Sequence, residues 1–210
     1  ELAWYFCQRN DLEVHLLLYG RRPEIFYKLP VSLIIHKPSE IFNNKFRFYA
    51  SLKRLHFVRK TIKEIKPDSI LNFGELWNSF ILLALWGLPY PIYISDRCSP
   101  ARQFSKYHTL LRRWLYPRAQ GIIAQTETAK LLYASQFKNN NIQVIGNPIK
   151  QIQHENLSLE RENIVLTVGR LIQTKHHDKL IELFADPLFS KWKLIIIGDD
   201  ALKQTNKERV

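Results

Sequence analysis

Short, unbroken apolar runs rich in Ile, Val and Leu alternate with segments of helical period along almost the whole sequence, and no other feature constrains the fold as strongly. A strand needs a continuous apolar run when both faces of its sheet are covered, and strands separated by helices pair in parallel. Strands are predicted at residues 14–19, 31–35, 69–73, 91–94, 121–124 and 142–145. Helices are predicted at 46–66, 77–86, 104–118 and 126–133, and residues 2–9 read as the end of another. The 46–66 helix follows from Leu52, Leu55, Val58, Ile62 and Ile65 at helical spacing, closed by Pro67-Asp68. Thr126 is the expected cap of the 126–133 helix.

The pattern pauses once. Residues 149–162 are polar and without a period, and read as a linker. It then restarts with a strand at 164–168, a turn, a helix at 177–184 and a strand at 194–197. The expected organisation is therefore one α/β domain over 1–148, the linker, and the beginning of a second α/β domain over 163–210, which holds too few strands to bury its own sheet.

Charge limits the partners. The chain of 210 residues carries a net charge of +12 and has an isoelectric point near 9.7, which implies an anionic partner: nucleic acid, an acidic membrane surface or phosphorylated substrates. Cys7 and Cys98 lie far apart in no metal-ligand spacing and read as free, buried thiols of a reducing compartment. No secretory signal is expected. The most apolar run, residues 80–88, ends at Gly87 and Pro89, far short of the ~20 residues that span a bilayer, so it reads as a buried helix. His176 and His177 are adjacent and do not share a helical face, so no metal is expected there.

One turn carries chemistry. The strand Ile164-Val-Leu-Thr-Val168 leads at once into Gly169-Arg170, with Lys175 five residues on and a helix beyond. In doubly wound folds ligands sit outside the C-terminal ends of strands. A glycine there admits a phosphate close to the backbone, the helix terminus supplies amide donors, Arg170 a bidentate fork and Lys175 a mobile cation. Such a turn can hold a diphosphate without a metal and stabilise a departing nucleoside diphosphate, so Arg170 and Lys175 are the catalytic candidates and Gly169 completes the diphosphate site. On spacing alone, an exposed basic turn is an equal reading.

The segment Ile164-Val-Leu-Thr-Val-Gly-Arg-Leu-Ile-Gln-Thr-Lys175, with the Leu180-Ile-Glu-Leu-Phe184 helix after it, resembles the start of the C-terminal domain of family 4 (group 1) glycosyltransferases. Arg118-Ala-Gln-Gly-Ile-Ile-Ala-Gln-Thr126, Ile142-Gln-Val-Ile-Gly-Asn-Pro-Ile149 and Leu194-Ile-Ile-Ile-Gly-Asp199 resemble other elements of that family in the right order. The resemblance implies a GT-B fold: a Rossmann-like, doubly wound parallel-sheet N-terminal domain and a second Rossmann-like domain. It implies that Arg170 and Lys175 bind the donor diphosphate. It further implies retaining transfer of a sugar from a nucleotide diphosphate sugar, UDP-linked by expectation, with no cofactor and no metal. The Asn147-Pro148 element and Ser95-Asp-Arg-Cys-Ser-Pro100 resemble the subgroup that acts on undecaprenyl-diphosphate-linked sugars or builds capsule and exopolysaccharide. The family's first Gly-rich loop and its late Glu motif are expected outside residues 1–210, so the chain by itself is expected not to turn over.

Further candidates sit in the first domain. Asp96 and Arg97 stand where many family members carry a His, and with Glu75 and Asn147 they are the candidates for the acceptor or sugar side. Asn78 reads either as an acceptor contact or as a helix cap, the cap being favoured. On the 104–118 helix, Phe104, Tyr107, Leu111, Trp114 and Leu115 form one side, and Lys106, Arg112, Arg113 and Trp114 are the candidates for an anionic membrane surface. Lys53, Arg54, Arg59, Lys60, Lys63 and Lys66 lie outside the stripe of the 46–66 helix and form a second basic face. The place implied is peripheral, on the cytoplasmic side of the membrane. Rival readings are a non-catalytic glycosyltransferase-like subunit, another sugar-nucleotide enzyme such as an epimerase, and a nucleic-acid-binding protein; the last is disfavoured because the aromatics fall at core spacing and no nucleic-acid motif is present.

Overall fold

A computed structural model of the chain describes residues 1–19, 25, 27–38, 47–148 and 162–199. Gly20 to Pro23, whose residue types read as a turn after the 14–19 strand, all of the linker but Glu162, and the last eleven residues lie outside the described ones. The chain divides into two compact units, Glu1–Gln151 and Ile152–Val210.

In the first unit, α1 (Leu2–Cys7) precedes β1 (His15–Leu17) and β2 (Ile34–His36), which pair in parallel. Then follow α2 (Arg47–Ile65), β3 (Ile70–Phe73), α3 (Glu75–Ala84), β4 (Ile92–Ser95), α4 (Lys106–Leu115), β5 (Gly121–Ala124), α5 (Glu127–Gln136) and β6 (Ile142–Val144). β3, β4, β5 and β6 form one sheet in that order, every pair parallel. The core lies between this sheet and its helices: Val58 and Ile62 of α2, Ile81 and Leu82 of α3, Ile94 of β4, Ile122 of β5, and Leu115, Tyr116, Tyr133 and Phe137 beyond. α2 stops where Lys66 enters the left-handed region at φ 53° ahead of Pro67, which cannot continue a helix. Thr126 caps α5 as expected, its hydroxyl accepting from the Ala129 amide at 3.1 Å.

The second unit contains β7 (Ile164–Val168), α6 (His177–Phe184) and β8 (Lys193–Ile197), with β7 and β8 parallel over all five residues of each. No helix among the described residues is long and apolar enough to cross a membrane.

The helical faces depart from expectation in places. The buried stripe of α2 runs through Ala50, Arg54, Val58, Thr61 and Ile62, while Leu52 is exposed. Arg54 therefore belongs to the packed side and not to a solvated basic face; its long aliphatic stem allows it to cover apolar surface there. Arg59, on the same helix, donates to the carbonyls of Ala84 and Trp86 and so ties α2 to the end of α3. On α4, Tyr107 and Leu110 face solvent while Leu115 is fully buried, so the expected single aromatic side is split in two.

Candidate functional site

The parallel sheet of the first unit brings the C-terminal ends of β3, β4 and β5 to one edge, and the sequence-predicted residues Glu75, Asp96 and Arg97 emerge there. Gly74 makes the corner between β3 and α3 at φ 97°, a conformation that strongly favours glycine, and its amide donates to the Ser95 carbonyl at 2.9 Å. Gly74 is also the N-cap of α3, so Asn78 is not a cap. Asn78 instead sits inside the helix, fully buried, and joins the ends of β3 and β4. It accepts from Asn72 at 2.7 Å and donates to the Ser95 carbonyl at 3.2 Å and to Asp96 Oδ1 at 2.8 Å.

Asp96 is 2% exposed, and both of its carboxylate oxygens are occupied. Oδ1 accepts from Asn78 and from the Tyr116 hydroxyl at 2.8 Å, and Oδ2 is bound by Arg112 Nη2. Burial pushes the Asp96 carboxyl above the ordinary aspartate range, against the pull of Arg112 and of the Tyr116 and Asn78 donors. A carboxylate facing a guanidinium and two neutral donors is the form this environment is built for. Asp96 thus holds the loop after β4 in place, and Arg97, exposed beside it, stacks over the Phe73 ring at 4.6 Å and donates to Asn147 Oδ1. The amides of Asn147 and Gln125 pair at 3.0 and 3.2 Å, so Arg97, Asn147 and Gln125 meet at one exposed spot.

Glu75 is also buried. Its Oε1 accepts from the backbone amides of Arg97 at 2.8 Å and of Cys98. Burial opposes its charge, but the amides of Glu75 itself, Cys98 and Arg97 more than offset that and bring its carboxyl below the ordinary 4.5. A lowered pKa in the fold adds stability above the unfolded value, and that stability is lost as the pH falls through the folded value. Between neutral pH and pH below 4.5 the wild-type first unit should therefore lose more thermal stability than Glu75→Gln, measured side by side by circular dichroism.

Arg112 corrects a sequence expectation. It does not reach a membrane surface from α4: it is 6% exposed, ion-paired with Asp96, and covered by the rings of Phe104, Tyr116 and Phe137 at 4.6, 4.8 and 5.1 Å. The physical reason is its place on the helix, on the same face as His108, Leu111 and Leu115, where an Asp sixteen residues back supplies the charge. Lys106 and Arg113 are exposed. Trp114 is half-exposed, packed at 4.5 Å from the Trp86 ring and 4.8 Å from the Arg118 guanidinium. Cys98, expected to be buried, is exposed, with Arg102 Nη1 3.1 Å from its Sγ; both cysteines are free.

In the second unit the turn after β7 is held by the neighbouring strand. The Gly169 amide donates to the Ile197 carbonyl at 2.9 Å, and the Leu171 amide to that of Asp199 at 3.1 Å. A short 3-10 turn, Gln173–Lys175, and His176 in the left-handed region at φ 53° then lead into α6. These bends return Lys175 to the start of the turn: a methyl group at Gly169 would lie 3.8 Å from Lys175 Cε. Gly169, Arg170 and Lys175 are therefore neighbours, and both cations are exposed. The buried ring of His177 lies under the turn, its Nε2 3.3 Å from the Arg170 carbonyl. Sequence reasoning assigned His177 no role here, and its polar neighbours His176, Asp178 and Lys179 left no signal that it would be buried.

The chain itself makes no demand for glycine at 169, where an added methyl meets only ordinary contacts. Gly198 is different. A Cβ there would collide with the Gly169 carbonyl oxygen and stand 3.0 Å from its carbon. Gly198→Ala should separate the end of β8 from the turn, at a cost of about 1–3 kcal/mol for overpacking; a thermal melt, with donor binding followed in parallel, checks it.

Among the described residues no cluster of His, Cys, Asp and Glu could hold a metal ion. Residues 1–151 match the family described as Glycosyltransferase Family 4. The chain belongs to that family. Residues 148–210 match a second description, Glycosyl transferases group 1. This family 4 chain is 27% identical, over all of its length and 59% of the relative's, to a protein of Campylobacter jejuni. That relative is named GalNAc-alpha-(1->4)-GalNAc-alpha-(1->3)-diNAcBac-PP-undecaprenol alpha-1,4-N-acetyl-D-galactosaminyltransferase. It is 30% identical, over 75% of its length and 47% of the relative's, to the amylovoran biosynthesis glycosyltransferase AmsD of Erwinia amylovora. The chain thus spans about half the length of the curated relatives it matches. Solved structures share its fold: Anabaena HepE in complex with UDP (TM-score 0.59, 19% identity, 86% of this chain and 50% of that one) and the apo form of the lipopolysaccharide outer core galactosyltransferase WaaB (TM-score 0.58, 19% identity, 88% and 51%). These neighbours are GT-B glycosyltransferases, and the two units here are the parallel α/β architecture of that fold.

Proposed function

We propose that the chain is part of a retaining glycosyltransferase that moves a sugar from a UDP-linked donor to a glycan or polyprenyl-diphosphate-linked acceptor. The observation that carries the reading is the turn after β7, where Arg170 and Lys175 stand exposed beside Gly169. In the reaction the bond between the sugar's anomeric carbon and the diphosphate oxygen breaks, the acceptor oxygen forms its new bond to that carbon, and the acceptor's proton passes to the departing diphosphate. Negative charge grows on the departing diphosphate, and fixed cations stabilise it there without a metal. His177 and Gly198 hold the turn, so that the cations act from prepared positions. The relatives support the donor and acceptor classes by what they are named for: an undecaprenol-diphosphate-linked glycan for the Campylobacter protein, amylovoran for AmsD, and a complex with UDP for HepE.

On the first unit we assign the acceptor side to the exposed Arg97 and Asn147 with the half-buried Gln125, and Glu75 and Asp96 are positioning residues behind them. The exposed flank of α4, with Tyr107, Leu110, Trp114, Arg113 and Lys106, meets an anionic membrane surface on the cytoplasmic side, where a lipid-linked acceptor resides. The test is a panel of nucleotide sugars by thermal shift on the complete protein, followed by mass analysis of products on lipid-linked acceptors. A UDP-sugar that stabilises the protein and appears in the product supports the reading; a complete protein that responds to no nucleotide sugar overturns it.

A further inference from the structure

The first unit contains a cleft that the donor and acceptor reading leaves unused. It lies where residues 100–104, α4 and the end of α5 meet, has a volume of about 330 Å³, and is lined by Arg102, Arg112, Arg113, Phe104, Gln136 and Phe137 among others. Three guanidinium groups line it, and no carboxylate does. Asp96 is the carboxylate bound to Arg112, and it is itself buried.

Two of the arginines, Arg112 and Arg102, are held there. Arg112 is more than nine-tenths buried with its faces covered by three rings, and its Nε has no hydrogen-bond partner. Arg102 stacks on the same Phe104 ring at 5.3 Å, and its Nη1 lies 3.1 Å from the Cys98 sulfur, a weak acceptor. Asp96 offsets the charge of Arg112, and Arg102 and Arg113 bring two further cations to the same concavity with no carboxylate in its lining. The cleft is at the small end of ligand pockets, which run from roughly 300 to 1,000 Å³, too small for a nucleotide sugar and sufficient for one phosphate with its ester substituent. Arginine forks match phosphate oxygens in geometry as well as charge.

We propose that this cleft binds a phosphate ester group, monoester or diester. Two sources offer that chemistry: the headgroup of an anionic lipid, presented because the exposed aromatic flank of α4 is adjacent, or a free phosphate compound. The lipid source rests on the membrane reading above; the site itself does not. The probes are inorganic phosphate and glycerol phosphate, titrated calorimetrically into the complete protein at constant ionic strength with chloride as the control. Arg102→Gln removes a cleft cation outside both the Asp96 network and the exposed α4 flank, and should leave the melting temperature and the UDP response unchanged. Saturable binding is expected, weakened about tenfold by the substitution, the value of one charge-assisted hydrogen bond. No saturable binding, or equal affinity in Arg102→Gln, overturns the site. Flotation with phosphatidylcholine vesicles, with and without phosphatidic acid, identifies the source. Binding that inorganic phosphate competes away, and that Arg102→Gln weakens, assigns a lipid headgroup. Vesicle binding that Arg102→Gln retains, beside a weakened phosphate titration, assigns a free phosphate compound. Phosphate binding with no vesicle binding at all keeps the site and removes the membrane reading.

Discussion

In the complete protein, Arg170→Ala or Lys175→Ala should lower turnover by about two to three orders of magnitude each while leaving the thermal midpoint within a degree or two. The magnitude follows from the kind of contact: removing one preorganised donor from a developing oxyanion typically costs about 2.7–4 kcal/mol of transition-state stabilisation. The small stability effect follows from exposure, because both side chains are at the surface and substitutions of exposed side chains generally stay within about 0.5 kcal/mol. The loss should appear in kcat more than in KM, since the diphosphate gains charge only as the sugar departs. Steady-state kinetics with a saturating donor separate the two. A variant that only raises KM would place the cation in ground-state binding, and wild-type rates in both would remove the turn from the chemistry.

Asp96→Ala should be the most destabilising single substitution in the first unit. It strips the partner from a buried guanidinium and leaves the Tyr116 hydroxyl and the Asn78 amide facing a void. Breaking a buried ion pair from one side costs about 3–5 kcal/mol, because an uncompensated charge stays in the interior. For a unit of this size that is roughly 6–20 °C in melting temperature. Removing both charges in Asp96→Ala, Arg112→Met should recover most of the loss, because the cost lies in the unpaired charge and an apolar side chain can fill the space under the three rings. Melts of the two singles and the double form a closed cycle. Equal destabilisation in single and double variants would show that the pair's role is packing and not charge.

Much of this was legible in the sequence, and the reason is periodicity. Unbroken apolar runs such as Ile164–Val168 and Gly121–Ala124 can only be covered strands, and their alternation with helices leaves parallel pairing as the simple solution. The turn at Gly169, Arg170 and Lys175 was legible because strand, glycine and cations stand close together in the chain. The network around Asp96 was not. Its members, from Asn72 to Tyr116, converge only when β3 and β4 pair and α4 packs on α3, and no local rule tells a buried arginine from an exposed one. Arg112 lies beside Arg113 in the sequence, and a helical rotation of one residue is the whole difference between an ion pair in the core and a cation in solvent. Gly198 was equally hidden, since what requires it is the carbonyl of Gly169 on the adjoining strand's turn.

The cationic turn in the second unit is proposed to receive the donor's diphosphate without a metal. Calorimetric titration of UDP into the complete protein, in the presence of EDTA, tests it most directly. Saturable binding without added metal is expected, weakened at least about a hundredfold when Arg170 and Lys175 are both replaced by Ala, and unchanged by Arg102→Gln. Binding that requires a divalent cation, or that the double substitution leaves intact, would contradict it.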